Sequence, residues 1–286
     1  MLKSVLVAIF TASALVAGGV AAQSSPTLAK IKAAKAINVA YSPDSLPFSF
    51  TGPNNEAVGY SIDLCKRAIA QIGRSVGEPN LKVNWIAGSV TERLQMVASG
   101  RADLECANTT QTQTRLANVD FSNLIFIDGG GILVKAGAPI NAMPDLAGKR
   151  IAVLKGTTTE TRLNEVLKRR LVNATVVAIT NANEGITMLE SGSVDAYAGD
   201  KIKLIGLLAQ SKEPARLAML VEELSFEPYA MALPRNDSAF RLEVNKALTQ
   251  IYLSSDIETI FAQWLGKLGR PSGLLALMYL LNSIPE

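Results

Sequence analysis

The chain has 286 residues, of which 48% are hydrophobic and 19% charged, and its formal net charge is +3. This suits one large or two ordinary globular domains, and so small a charge, with no basic run or arginine-rich helix, argues against a nucleic-acid partner. There is no histidine, which excludes Ser-His-Asp and Cys-His catalysis and argues against most zinc sites, so neither metal nor cofactor is expected.

The chain opens on a targeting signal. Lys3 gives a positive start, residues 5–20 are an apolar run, and Val20-Ala21-Ala22 offers small residues for cleavage before Gln23. The run is near the lower limit for spanning a bilayer, so a retained anchor is the alternative. No cysteine stands at the cleavage point, which disfavours a lipoprotein, and no second run is long and apolar enough to span. The mature chain is expected to be exported and soluble, with no membrane insertion. Residues 37–41 then read as a short buried strand, broken by Pro43 and Pro47. After the turn TGPNNE, Gly59-Tyr60-Ser61 leads into an amphipathic helix with Ser61 as its N-cap. Cys65 shares that helix's apolar stripe with Ile62, Ile69 and Ile72, and so reads as a small buried hydrophobe. An oxidising compartment would permit it to bond to Cys106, the other cysteine. Residues 81–86 alternate like a strand. Ser89 and Glu92 have capping-box spacing for a helix running to Ser99 and stopped by Gly100.

The strand over residues 101–106 delivers the stretch ECANTTQTQTRLANVDFS, residues 105–122. Asn108, Thr109, Thr110 and Thr112 offer amides and hydroxyls, and Arg115 offers a guanidinium. A guanidinium holds a carboxylate through two parallel hydrogen bonds, and nearby hydroxyls satisfy the remaining lone pairs. With no nucleophile or metal cluster beside it, the stretch reads as a site that holds a small carboxylate ligand without transforming it. A polar surface loop with a solvated arginine is the alternative.

A similar series follows. Residues 150–154 read as a buried strand, and Thr157 and Glu160 open a helix in capping-box register. Free N–H groups at such a start attract anions. Residues 172–179 are a strand, 183–191 a helix ended by Gly192, and 194–198 a strand delivering Asp200. VASGRAD (residues 97–103) parallels LESGSVD (residues 189–195), and eight residues beyond each glycine stand Asn108 and Asp200. A helix–Gly–strand unit is thus used twice, each copy ending in a polar loop, and ligands of open α/β sheets bind at the carboxyl ends of strands. Residues 121–135, with three consecutive glycines that permit unusual backbone angles, read as an extended crossover, and residues 224–233 as the return. Residues 236–265 are expected to be helical, packing back through Phe261 and Trp264. The apolar tail, 273–286, is expected to lie on the body of the protein. Lobe 1 is then residues 35–126 plus 230–286, lobe 2 is residues 127–229, and residues 1–22 are the signal peptide.

PFSF with VGYSIDL, then ASGRADL, TT, R and VDFS, then GKRIAVLKGTTTE and LESGSVDAYAGD, together resemble the bacterial periplasmic amino-acid-binding proteins. These are extracellular solute-binding proteins of the polar amino acid group, which feed ABC importers. The segment ECANTT, followed by TR, VDFS and IF, is most similar to the glutamate/aspartate-binding branch. The resemblance implies an α/β, two-lobed periplasmic-binding-protein fold with two hinge crossovers. It also implies a monomer in the periplasm, with an ABC permease and its ATPase subunit as partners. It casts Arg115 on the ligand α-carboxylate, Asn108 and Thr110 on the ligand backbone groups, and Thr157, Thr158 and Thr159 as contacts from the second lobe. Asp200 falls to the α-ammonium and Arg93 to the side-chain carboxylate. Two positions depart from the branch: Ser42 stands where an arginine is usual, and Ala182 or a neighbour where a histidine is usual. The alternatives are a dehydratase-like enzyme on this scaffold, with Glu105, Glu184 and Glu227 as acids by location, and a sensor partner.

Overall fold

The computed structural model describes residues 25–211 and 213–284. The signal peptide lies outside the described residues. From the N-terminal side the elements are α1 (Pro26–Ala34), β1 (Ala36–Tyr41), β2 (Asp44–Ser45), β3 (Ser49–Thr51), β4 (Ala57–Val58), α2 (Tyr60–Val76), β5 (Lys82–Ala87), α3 (Val90–Ala98), β6 (Leu104–Cys106), α4 (Gln113–Leu116) and β7 (Asp120–Lys135). The next group is β8 (Arg150–Leu154), α5 (Thr158–Arg169), β9 (Thr175–Ile179), α6 (Ala182–Ser191), β10 (Ala196–Asp200), α7 (Lys201–Gln210) and β11 (Leu217–Met219). The chain returns through β12 (Phe226–Leu233) into α8 (Ser238–Tyr252), α9 (Asp256–Leu265) and α10 (Gly273–Leu281).

The strands run in the order β5-β1-β6-β12-β7-β10-β8-β9, with β11 on β7, and β2-β3-β4 form a separate small sheet. β1 is parallel to β5 and β6, β8 is parallel to β9 and β10, and antiparallel β7 and β12 join the two halves. The main apolar core of the first half draws on residues between Ile31 and Phe126 and again between Tyr229 and Tyr279. The cores of the second half lie between Ile132 and Leu224. This is a two-lobed α/β architecture, with both crossovers built as strands of one ribbon.

The repeated pattern has a physical cause. Gly100 and Gly192 take left-handed φ of 73° and 79°, ending α3 and α6. Two residues on, the N–H of Ala102 returns to Met96 O, and that of Val194 to Met188 O. Asp103 and Asp195 then each make a paired contact with the first strand of their lobe. Asp103 Oδ2 accepts from the N–H of Asn38, and Asp195 Oδ2 accepts from that of Arg150, both at 2.8 Å. Their own N–H groups donate to the carbonyls of the same two residues.

Several expectations need correction. The glycines at 129–131 adopt no left-handed angle. What they permit is close approach, since a Cβ at Gly130 would lie 2.4 Å from Ser225 Oγ and one at Gly131 2.9 Å from the Cγ of Lys201. Ser61 does not cap α2. The helix starts one residue earlier, and its free N–H groups at Tyr60 and Ser61 donate to the carbonyls of Pro47 and Phe48. The helical stretch 236–265 is two helices, α8 and α9, the first capped by Asp237 Oδ1 accepting from the Phe240 N–H at 3.0 Å. α10 lies on the body through Leu275, Met278 and Tyr279, whose hydroxyl is 2.7 Å from that of Tyr60.

Cys65 and Cys106 are not separate buried hydrophobes; they form a disulfide with Cα atoms 6.1 Å apart, tying α2 to the end of β6. Burial on an apolar stripe is common to a free and a paired cysteine, so the stripe alone did not discriminate. The bond closes a separation of 41 residues. Reduction, or a Cys65→Ala, Cys106→Ala double variant, is expected to lower the unfolding free energy by about 4 kcal/mol. Urea titration measures this, and an unchanged midpoint would refute it.

Candidate functional site

A cavity of about 700 Å3 opens where the ends of β1, β6, β8 and β10 face one another across the lobes. Its lobe 1 wall includes Ser42, Asp44, Ser45, Arg93, Asn108 and Thr110, and its lobe 2 wall includes Thr157, Thr158, Asp200 and Lys203.

The lobe 1 loop is held in place by backbone bonds to the returning ribbon. Ala230 N–H donates to Thr109 O, Gln111 N–H donates to Pro228 O, and Thr110 pairs with Tyr229. Tyr229 is itself fixed in an aromatic cluster, 5.3 Å from Phe48 and 6.2 Å from Phe126. Thr112 caps α4 by accepting from the N–H of Arg115 at 3.1 Å, which turns the Arg115 side chain back toward the loop. Its Nη1 donates to Thr110 O at 2.7 Å, so Arg115 stands behind the wall rather than among the lining residues. It is no solvated arginine: burial lowers its pKa, while Glu105 and Glu227 oppose that shift.

Arg93 is buried at 3% exposure, and its charge is already engaged. Nε donates to Glu105 Oε1 at 2.8 Å, Nη1 to Gly88 O at 2.7 Å and Nη2 to Thr109 Oγ1 at 3.3 Å. Across the cleft, Thr157 caps α5 by accepting from the Glu160 N–H at 3.1 Å. The expected reciprocal bond is displaced by one residue, since Glu160 Oε2 accepts from Gly156.

The two repeat-related residues meet: Asn108 Nδ2 donates to Asp200 Oδ2 at 2.9 Å. Thr159 Oγ1 donates to Asp200 Oδ1 at 2.8 Å, and the Tyr229 hydroxyl donates to Oδ2 at 2.8 Å. Asp200 therefore gathers donors from both lobes and from the ribbon between them. Thr110 and Thr158 lie 3.3 Å apart through their hydroxyls, and both donate to Glu227 Oε2, Thr158 at 2.6 Å. Burial, and then Asp200, raise the pKa of Glu227, against the hydroxyls of Ser225, Thr110 and Thr158, which lower it.

A second corner holds Ser42, which is 2% exposed. Its Oγ lies 2.7 Å from Ser45 Oγ and 3.2 Å from Asp44 Oδ1. Asp44 Oδ2 in turn accepts from the Ala182 N–H at 2.8 Å, another bond between lobes. Sequence reasoning missed Asp44, Asp128, Lys203 and Tyr229. The signal for Lys203 was a lysine among the apolar positions of KIKLIGLL; Asp128 and Tyr229 carried none before the ribbon was assembled.

Residues 37–267 match the model of the bacterial extracellular solute-binding proteins, family 3. The chain belongs to that family. An L-glutamate/L-aspartate-binding protein of Pseudomonas aeruginosa is 32% identical over 272 residues, covering 95% of this chain and 90% of that protein. A glutamate/aspartate import solute-binding protein of Escherichia coli K12 is 29% identical, over 83% of this chain and 79% of that protein. Among solved structures, an ancestral arginine-binding protein bound to arginine superposes with a TM-score of 0.72 at 29% identity. It covers 81% of this chain and 99% of its own. An ancestral amino acid-binding protein that is a precursor of cyclohexadienyl dehydratase superposes with a TM-score of 0.70 at 25% identity, over 84% of this chain and 99% of its own.

The acid next to Asp200 carries a testable pH dependence. Burial first, and then Asp200, raise the Asp128 pKa to about 7, against bonds from the N–H groups of Gly129 and Ile202 and from the Tyr229 hydroxyl. An unfolded aspartate titrates near pH ~3.9. From there up to about pH 7 the folded protein holds a proton that the unfolded chain has lost. The stabilisation is thus full at low pH, declines as pH rises through that window and is gone above it. Asp128→Asn is expected to flatten part of this slope, with Glu227 contributing the rest in the same direction. Urea midpoints across the window measure it, and a slope equal to that of the wild type would refute the assignment.

Proposed function

We propose that the chain is the periplasmic substrate-binding component of an ABC importer for polar amino acids, with glutamate or aspartate as ligand. The observation that carries this is the meeting of Asn108 and Asp200, and of Thr110 and Thr158, across the cavity. Those groups, with Arg115 behind them, complement a zwitterion: an acid for the α-ammonium, and hydroxyls plus a guanidinium for the α-carboxylate. The likeness to glutamate- and aspartate-binding relatives supports the ligand class. Each threonine hydroxyl has one proton to give. A ligand carboxylate at Thr110 and Thr158 therefore competes with Glu227 for both, and Glu227 must find its protons elsewhere or keep one of its own. In this reading Thr157 acts by capping α5, Thr159 by holding Asp200, and Arg93 by shaping the loop from its pair with Glu105. Ser42 belongs to the side-chain corner.

The lobes divide as residues 35–126 plus 230–286 and residues 127–229. The protein acts as a monomer, exported by a signal peptide cleaved near Ala22, and delivers its ligand to a permease with its ATPase subunit. Among the described residues no helix is long and apolar enough to cross a membrane. Glu105 Oε1 accepts from Arg93 and Thr109, though its Oε2 has no partner among the described residues, and Glu227 accepts from three hydroxyls; these fixed donors favour binding over proton transfer.

A thermal-shift screen of the mature protein against the amino acids tests the reading. Glutamate or aspartate at 100 times its Kd should add about 2.7 kcal/mol of stability. Arg115→Ala should abolish that shift and lower the affinity by at least about 100-fold, read by calorimetry. Near-wild-type affinity in this variant would sink the site assignment, and no shift with any amino acid would sink the function.

A further inference from the structure

The cations around the cavity are not equivalent. Arg93 is neutralised by buried Glu105, and Lys155 is exposed to water. Lys203 also lines the cavity, yet it is only 6% exposed and makes no ion pair among the described residues. An ammonium has three protons to place, and its one hydrogen bond among the described residues is to Ser45 Oγ at 3.1 Å. Asp44 and Asp200 act on it only as more distant charges, opposing the burial that lowers its pKa. A buried cation without a counter-charge is costly unless something anionic is brought to it.

Its placement follows from the packing of α7. Lys203 lies one turn before Gly206, where a Cβ would come within 2.7 Å of Leu46 Cδ2 and 2.9 Å of Leu46 O. The missing Cβ lets α7 close onto the loop after β2, and the lysine stem crosses from lobe 2 to the Ser42–Ser45 corner of lobe 1. That corner has its own hydrogen bonds and is distinct from the group formed by Asn108, Thr110, Thr158 and Asp200. The cavity therefore has two poles: one suited to the α-amino and α-carboxylate groups, and one with a cation that forms no ion pair among the described residues, beside two small hydroxyls and with Asp44 beyond them.

The geometry points to Lys203 as the specificity-determining residue that receives the second carboxylate of an acidic amino acid. The cation comes from lobe 2, and the serines Ser42 and Ser45 leave room for the carboxylate beside it. This rests on the amino-acid-binding reading given above. Because Lys203 reaches across the cleft, a dicarboxylate held at both poles also draws the two lobes together.

Calorimetry of the full mature chain with glutamate, glutamine, aspartate and asparagine provides the test, on the wild type and on Lys203→Met. The wild type should bind glutamate or aspartate more tightly than the matching amide. Lys203→Met should weaken the acidic ligand by about 100-fold while leaving its amide within about 3-fold, since only the charged hydrogen bond is lost. A wild type that binds acid and amide alike overturns the role of Lys203 without touching the amino-acid reading, and needs no variant to fold. So does a variant that weakens both ligands equally, as a purely structural tie would, or that leaves the acid unaffected. A wild type that binds neither these four nor any other amino acid overturns both readings, and one that binds only a neutral or basic amino acid overturns the role of Lys203 alone.

Discussion

The structure turns on the company kept by one carboxylate. Asp200 ends β10, and donors converge on it from Asn108 at the end of the equivalent strand in the other lobe, from Thr159 in α5 and from Tyr229 in the ribbon. These anchors come from both lobes and from the ribbon that joins them, so their convergence requires the lobes to meet in one arrangement. Asp128 and Glu227 stand close enough to Asp200 that its charge disfavours the ionisation of both, on top of their burial. Like charges gathered in a partly dry place are costly, and a ligand ammonium placed among them lowers that repulsion. The same cluster that fixes the lobes thus sets the chemical demand on whatever binds.

Charges elsewhere in the site follow a complementary rule. Arg93 and Glu105 neutralise each other deep in lobe 1, where removing either would strand the other. Their value lies in holding the loop after β6 rigid, with Thr109 tied to both. Half-buried Arg115 and buried Lys203, in contrast, are cations whose hydrogen-bond partners among the described residues are a carbonyl and a hydroxyl. They have capacity left for an anion. The site is thus divided between spent charges that shape it and unspent charges with capacity to receive.

Much of this was legible in the sequence where a local rule has a local cause. The SG-x-x-D pattern marks a left-handed glycine and an aspartate bonded to the first strand of its lobe, which is why it appears in both halves and why Asn108 and Asp200 fall in equivalent places. Ser89 and Glu92 form the capping box that their spacing announced. Illegible features are those decided by tertiary approach. Ser61 resembles a cap, but carbonyls of the loop at Pro47 and Phe48 already serve that helix start. The cystine is hidden because Cys65 and Cys106 become neighbours only when α2 packs on β6. Lys203 reads as one lysine in an apolar helix until Gly206 is seen to admit Leu46.

The return of the chain to its first lobe has a consequence for the order in which the protein can be made. Ser25 and Thr27, at the start of the described chain, both donate to Asp237, and Tyr60 shares a hydrogen bond with Tyr279. The apolar core of that lobe is incomplete until α8, α9 and α10 have emerged. The cores of the second lobe lie between Ile132 and Leu224 and hold all their members as soon as that segment is out. Since domains form as units during synthesis, the middle of the chain can finish first while the beginning waits for the end. The first lobe thus stays open until the last turns of the chain appear, a delay that suits a polypeptide threaded through a narrow pore before it folds.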